Sequence, residues 1–355
     1  MKTSAAKPPP KPPAGPQGLQ PGAPMWNNGE ILFTDAVAAK IAASGAGWVR
    51  LNFRLGPNFA NWTDTNAFGY SALSRYDTII DHALNNNLKV LGLLSNEAWN
   101  TTTPPPGEWQ ANNAEVAGGN GDNPYIQGFE TGAARVLIPH FAGKIDNWQV
   151  WNEPNASLTW VYPSNFAWLL RRVYVAARES GVPNLTIVSG GLLSTHSQAD
   201  TSITTSNTGA DYLRDTYNQG RINAGWESVK GTHGSYPLDA IGQHLYIDAW
   251  GRTTARRIER AVKLVHDRYV AEEGGSTSKT THVTEFSWDT NWGVSEQTQA
   301  DNLTTAYNKL KGLAYTPRSY WFFLRDEPAA NLHRGLLRAD GSEKPSWSAY
   351  RKVNA

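Results

Sequence analysis

Asn147-Trp148-Gln149-Val150-Trp151-Asn152-Glu153-Pro154 is the stretch on which the reading of this chain turns. Residues 145–151 read as a short buried strand, and Pro154 stops it, because proline has no N–H to give to a ladder. Glu153 is therefore expected at the carboxyl end of a strand, beside the Asn152 amide and near the Trp151 indole. A carboxylic acid with a hydrogen-bonding neighbour and apolar walls is what an acid/base catalyst requires. Taken alone, Asn-Glu-Pro also suits a solvent-facing strand end, so the decision rests on the rest of the chain.

Strand-like and helix-like segments alternate on both sides of that stretch. Upstream, residues 18–26 read as a weak strand interrupted by Pro21 and Pro24, 48–53 and 88–94 as strands, and 34–44, 71–86 and 125–142 as helices. The helix over 71–86 carries Leu73, Tyr76, Ile80 and Leu84 at helical spacing. Downstream, strands at 185–189, 240–246, 282–286 and 318–324 alternate with helices at 164–180, 210–229, 253–272, 295–311 and 347–352. Buried strands alternating with helices point to a parallel sheet. Eight such units point to an α/β fold closed as a single-domain (β/α)8 TIM barrel. An open doubly wound sheet would want a Gly-rich phosphate turn after its first strand, and Gly-x-Gly-x-x-Gly is absent.

The barrel is expected to occupy residues 19–355. Residues 1–18 contain Lys7-Pro8-Pro9-Pro10-Lys11-Pro12-Pro13 and read as an extended, disordered linker or tail outside the fold. That segment lacks the apolar middle of a secretory signal. It reads as what remains after removal of a signal or another domain, so a secreted or cell-envelope protein is expected. The 32 basic and 31 acidic residues balance, and no basic block interleaves with aromatics, which argues against nucleic acid. The absence of cysteine excludes disulfides, thiolate nucleophiles and Cys-ligated zinc. No apolar run reaches the length of a membrane span. No His-x-x-x-His supports a metal, and the turn at 119–123 reads as a plain turn rather than a calcium loop. Ser189, Ser194 and His196 lack the Gly-x-Ser-x-Gly elbow of a hydrolase triad. No metal and no cofactor are therefore expected.

In a barrel of this kind the site lies at the carboxyl ends of the strands. Those ends offer Arg50 and Asn52, Ser95 and Asn96, Asn152 and Glu153, His244 and Tyr246, Glu285, and Trp321. Two glutamates on different strands facing one cavity is the layout for glycoside hydrolysis by two carboxylates. The chain has 15 tryptophans, many near Asn, Asp and Gly in predicted loops, where flat faces suit sugar rings. Trp99, Trp160, Trp250, Trp288 and Trp292 are read as sugar platforms or as loop anchors.

Trp151-Asn152-Glu153-Pro154 after the fourth strand and Thr284-Glu285-Phe286 at the seventh resemble the clan A glycoside hydrolases, which include the cellulase/mannanase and β-xylosidase families. Gly47-Trp48-Val49-Arg50, His244-Leu245-Tyr246, Trp321 and the closing Gly335-Leu336-Leu337, Asp340-Gly341 and Lys344-Pro345 fit the same pattern, over roughly residues 20 to 353. The resemblance implies a retaining O-glycosyl hydrolase, with Glu153 the acid/base and Glu285 the nucleophile. It implies that Asn152 meets the sugar 2-hydroxyl, that Tyr246 and Arg50 hold Glu285 ionised, and that Trp321 forms the floor under the reacting ring; His244 is read as a contact to substrate or a catalytic carboxylate, with a satisfied core histidine as the alternative. Asn96, Trp99, Trp160, Trp250 and Trp288 complete the expected substrate contacts. One departure stands out. Some families of the clan carry a His after the third strand, where this chain has Ser95-Asn96-Glu97, so Glu97 becomes a substrate contact or a competitor for the catalytic role. The expected partner is a β-linked poly- or oligosaccharide. The many loop aromatics favour endo action by a monomer; an exo-β-glycosidase or a non-catalytic carbohydrate-binding barrel are the alternatives. A carbon-acid base at Glu285 would bring a phosphate site, and no Gly-rich loop follows the last two strands.

Overall fold

Eight parallel strands close into a barrel in chain order. They are β1 (Gly18–Gln20), β2 (Trp48–Asn52), β3 (Lys89–Leu94), β4 (Asn147–Asn152), β5 (Thr186–Thr195), β6 (Ala240–Tyr246), β7 (Thr280–Phe286) and β8 (Ser319–Phe322). β8 pairs back onto β1 through Leu19 and Trp321, which closes the ring. The computed structural model describes residues 15–99, 123–195, 202–275 and 278–354. The helices are α1 (Asp35–Ala43), α2 (Ala72–Asn85), α3, α4 (Pro163–Glu179), α5 (Ala210–Ile222), α6 (Trp226–His233), α7 (Ala255–Glu272), α8 (Glu296–Lys311) and α9 (Pro345–Asn354). Helix α3 runs through Pro124–Phe129, a π-helical turn Glu130–Ala134 and Arg135–His140. Thr34, Ser71, Thr254 and Ser295 cap their helices by accepting a backbone N–H in the first turn.

Strand pleat sorts the side chains. Trp48, Leu91, Val188, Ala240 and Tyr320 form a separate apolar cluster that fills the barrel interior. The alternate residues face outward into one large core shared with the helices, where Trp148, Phe53 and Phe141 meet. Above the apolar plug, the inward positions turn polar, beginning with the buried Arg50 and Gln149.

The alternation read from sequence holds, with local differences. The first strand is three residues long and stops before Pro21, whose missing N–H ends the ladder. The helix expected over 210–229 is two, α5 and α6, broken where Gly225 takes φ 62°. β5 runs on past Ser189 through Gly190 and Gly191, with a shift of register against β6. Leu84 is exposed, and α2 instead buries Tyr76, Ile79, Ile80 and Ala83. Residues 1–14 of the tail, most of the loop after Asn96, most of the turn at 119–123, and His196 lie outside the described residues. No helix among the described residues is long and apolar enough to cross a membrane.

His282 on β7 shows what burial in this fold costs a titratable group. Its ring is buried, Nδ1 has no hydrogen-bond partner, and burial, reinforced by the charge of Arg318, lowers its pKa to about 3. In the unfolded chain the ring takes a proton near the ordinary value of about 6.5. Stability from this group is therefore present above that value and lost as pH falls toward the folded one, at about 1.4 kcal/mol per pH unit. Urea unfolding of His282→Asn at pH 6.5 and pH 4.5 is expected to show a pH-dependent loss smaller than that of the native chain by about 2 kcal/mol.

Candidate active site

The site is built on Arg50, whose side chain is fully buried inside the barrel. Its Nε donates to Gln149 Oε1 at 2.7 Å and Nη1 to Gln20 Oε1 at 2.5 Å. Nη1 also pairs with Glu285 Oε1, and Nη2 donates to Asn152 Oδ1 at 2.9 Å and lies 3.5 Å from His244 Nε2. One guanidinium from β2 thus touches side chains of β1, β4, β6 and β7. Gln149 is held in turn by Ser189 O and Thr284 Oγ1. Two glycines make the space: a Cβ on Gly242 would run into Gln149, and one on Gly191 would run into the His244 ring.

Glu285 sits within this frame with an 8 % exposed side chain. Its Oε2 accepts from Tyr246 Oη at 2.6 Å. Burial by itself pushes the carboxyl up; the charges at His244 and Arg50, with hydrogen bonds from Tyr246 and Arg50, outweigh burial and hold it below the ordinary carboxylate range. Burial and the negative charge of Glu285 push the Tyr246 phenol well above its usual value, so it stays protonated and remains a donor.

Glu153 is set differently. Trp151 and Glu153 both adopt left-handed backbone, φ 76° and 46°, which is unusual for such residues and concentrates at functional sites. The turn at Trp151 switches the pleat. By alternation from Gln149, Trp151 would point inward; instead it faces outward against Tyr125 and Phe129, and Asn152 points in to Arg50. The Glu153 carbonyl is fixed by Ala156 N and Thr159 Oγ1. Its carboxylate accepts from His244 Nδ1 at 2.8 Å, and its side chain is 20 % exposed. Since Asn152 Oδ1 takes the Arg50 proton, its Nδ2 is the amide end left for the cleft.

Oxygens of Glu153 and Glu285 and a ring nitrogen of His244 lie within 4.8 Å of one another. Three such ligand atoms are near enough for a metal ion, but the guanidinium of Arg50 already supplies the positive charge against Glu285. The carboxylates open into a cleft of about 920 Å3 that Gln20, Asn52, Asn96, Glu97, Phe322 and Arg334 also line.

The structure gathers Arg50, Asn152, Glu153, His244, Tyr246 and Glu285 in one cluster, and it places Asn96 and Trp250 on the cleft wall. Four tryptophans lie elsewhere. Trp321 is buried facing outward, packed edge-on to Phe286 and tilted against Trp288, and its indole donates to Arg334 O. Tyr320 and Phe322 are the inward residues of β8, so Phe322 rather than Trp321 faces the cleft. Trp288 is buried in the same outward cluster. Trp99 seats on Gly128 and Gly132 of α3, where any Cβ would collide with its ring, and acts as an anchor. Trp160 is exposed but packs edge-on against Tyr212, away from the cleft lining. Glu97 is tied by Arg54 Nε at 2.9 Å and Asn52 Nδ2 at 2.6 Å and forms a wall.

Gln20, Phe322 and Arg334 are cleft residues that the sequence did not single out. Arg334 comes from the segment after β8, lies 4.7 Å over the Tyr246 ring, and reaches the buried Asp289 at 3.3 Å. Gln20 could have been found by counting the pleat of β1; Arg334 sits on irregular backbone and carries no such signal.

No protein-family model and no curated protein sequence matches the chain. Solved structures do. A family 39 glycoside hydrolase from the gut symbiont Bacteroides cellulosilyticus superposes with a TM-score of 0.61 at 16% identity, over 95% of this chain. The chain spans 63% of that protein's length. A GH5_18 protein from Streptomyces cattleya in complex with Manb1-4GlcNAc gives 0.59 at 18% identity, covering 97% of this chain and 80% of its own. ZgEngAGH5_4 in complex with a cellotriose gives 0.63 at 12% identity, covering 96% of each chain. At these identities the likeness is one of fold.

Removing the guanidinium leaves Glu285 buried without its charge partner. Arg50→Met is expected to lower the unfolding free energy by about 3–5 kcal/mol in denaturant titration. Arg50→Met/Glu285→Gln is expected to recover part of that loss, because the unpaired charge is gone.

Proposed function

We propose that the chain is a retaining glycoside hydrolase acting on β-linked glycans, with Glu285 as nucleophile and Glu153 as acid/base. The observation that carries this reading is the pair of carboxylates from β4 and β7, with oxygens within 4.8 Å, at the foot of an open cleft. Retaining enzymes hold their carboxyls about 5–5.5 Å apart, and inverting ones about 6.5–9.5 Å, leaving room for a water between them.

In the first step an oxygen of Glu285 forms a bond to C1 of the sugar as the glycosidic C–O bond breaks. Glu153 gives its proton to the departing oxygen. In the second, Glu153 takes a proton from water, the water oxygen bonds to C1, and the Glu285–C1 bond breaks. The environments suit these roles. Glu285 is held ionised by Arg50, His244 and Tyr246. Glu153 receives one side-chain donor, His244 Nδ1, which steadies the carboxylate left once its proton has gone. The Asn152 amide is placed to donate to a sugar hydroxyl, and Phe322 offers an apolar face below the ring. The Manb1-4GlcNAc and cellotriose in the related barrels make β-1,4-linked glycans the first substrates to try. The openness of the cleft and Trp250 on its wall favour endo action.

Reducing-sugar release from a panel of β-linked polysaccharides tests this directly. Glu153→Gln is expected to lower turnover by about 10²–10⁴-fold, and Glu285→Gln to reduce it to background. Unchanged activity in both variants would overturn the assignment, and tight binding without turnover across the panel would make the chain a carbohydrate-binding barrel. Proton NMR of the first-formed product is expected to show the β-anomer.

The pH profile gives a second test. The Tyr246 hydroxyl favours the ionised form of Glu285, and the nucleophile acts when ionised. Tyr246→Phe is therefore expected to move the acid limb of kcat/KM to higher pH, because the carboxyl then protonates at a higher pH than in the native chain.

A further inference from the structure

The cleft over the two glutamates does not end at Phe322. Gln20, Asn52, Glu97, Phe322 and Leu332 also line a second hollow of about 180 Å3. That hollow shares Ala23 and Glu327 with a third, of about 600 Å3, whose walls include Trp26, Leu32, Phe33 and Val37. The three hollows adjoin through these shared residues, in a row that leaves the two glutamates over the ends of β8, β1 and β2.

Its far end is apolar and its middle is charged. Trp26 is 55 % exposed, on a hairpin closed by the Met25–Ile31 bridge and by Trp26 N to Glu30 O at 2.8 Å. The hairpin is tied to the cleft. Asn27 Oδ1 accepts from Arg54 Nη2 at 3.3 Å, and Arg54 Nε holds Glu97 on the wall of the first hollow. An exposed indole in an apolar hollow is an informative exception to ordinary burial. A sugar chain has the complementary character: hydroxyl rims for Arg54, Glu97 and Glu327, and a C–H face for an indole.

We propose that this row of hollows is an extended subsite for the glycan, with Trp26 as the platform for a distal sugar ring. The inference rests on the reading of the site as a glycosidase and specifies where its substrate chain continues. Glu153 protonates the leaving group, and Leu158 and Thr159 from its own loop line the cleft beside it. The row departs on the other side, past Phe322, so it carries the glycone end of the chain. The shared walls of the three hollows select this occupant over an unrelated one.

The test compares native chain, Trp26→Ala and Trp26→Tyr on cello- and manno-oligosaccharides of two to six units, with size-exclusion chromatography of each protein. The native kcat/KM is expected to rise with chain length. In Trp26→Ala that rise is expected to stop short, leaving the longest substrates about tenfold poorer, through KM, with dimers unaffected; tenfold corresponds to ~1.4 kcal/mol. Trp26→Tyr is expected to restore most of the length dependence. An unaltered length dependence in Trp26→Ala, an equal loss on short and long substrates, or a changed oligomeric state in its place would overturn the subsite alone. Failure of the native chain to cleave any member of either series would remove the glycosidase reading for these linkages and the subsite with it.

Discussion

A guanidinium buried in the middle of a barrel is the constraint on which this structure depends. Desolvating Arg50 costs several kcal/mol, and only near neighbours that accept its protons can offset that. The fold supplies them from around the ring: Gln20, Gln149, Asn152 and Glu285. Those partners carry consequences of their own. Gln149 needs the missing side chain of Gly242, and His244 needs that of Gly191. A point ammonium on a flexible stem could not hold this set, since the fork fixes several acceptors at once. The apolar plug of Trp48, Leu91, Val188, Ala240 and Tyr320 gives way to this polar layer where the barrel approaches its carboxyl-end face.

The same frame divides the two glutamates. Glu285 lies inside it, with a donor on each oxygen, and is held ionised although buried. Glu153 lies at its edge, on a left-handed turn that reverses the pleat of β4. His244 joins them, 2.8 Å from Glu153 and 3.5 Å from Glu285 through the same Nδ1. The asymmetry of surroundings is thus produced by backbone position as much as by partner choice.

Much of this was legible in the sequence because it follows from strand period. On β6, Ala240, Gly242, His244 and Tyr246 stand two apart, so one inward face could be read off. Arg50 and Asn52 on β2 behave the same way. The reading failed where period carries no information. Tyr320-Trp321-Phe322 is an unbroken aromatic run, so nothing in it says which ring faces in, and the larger ring faces outward. The inward turn of Asn152 depends on a backbone flip at Trp151 that no propensity encodes. Arg334 reaches the cleft, and Arg54 and Trp26 the hollows beside it, from irregular segments, whose course is set by contacts distant in sequence such as Asn27 with Arg54. Trp288 and Trp99 are anchors because their polar flanking residues mark loops without saying which way an indole points.

The place where this chain departs from the glycosidase pattern it resembles shows how hydrogen-bond occupancy separates a wall from a proton carrier. Glu97 follows the third strand, lines the same cleft as Glu153 and is comparably accessible. Both of its oxygens are taken, one by Arg54 and the other by Asn52, whose own carbonyl is fixed by Ser95. A carboxylate so engaged is held in place as part of the wall. Glu153 accepts through Oε1 alone, and Oε2 has no partner among the described residues. An oxygen left without a protein donor at the cleft is what a group needs if it is to meet a glycosidic oxygen and later a water. The Arg54–Glu97 pair instead fixes the wall from which the hollows toward Trp26 begin.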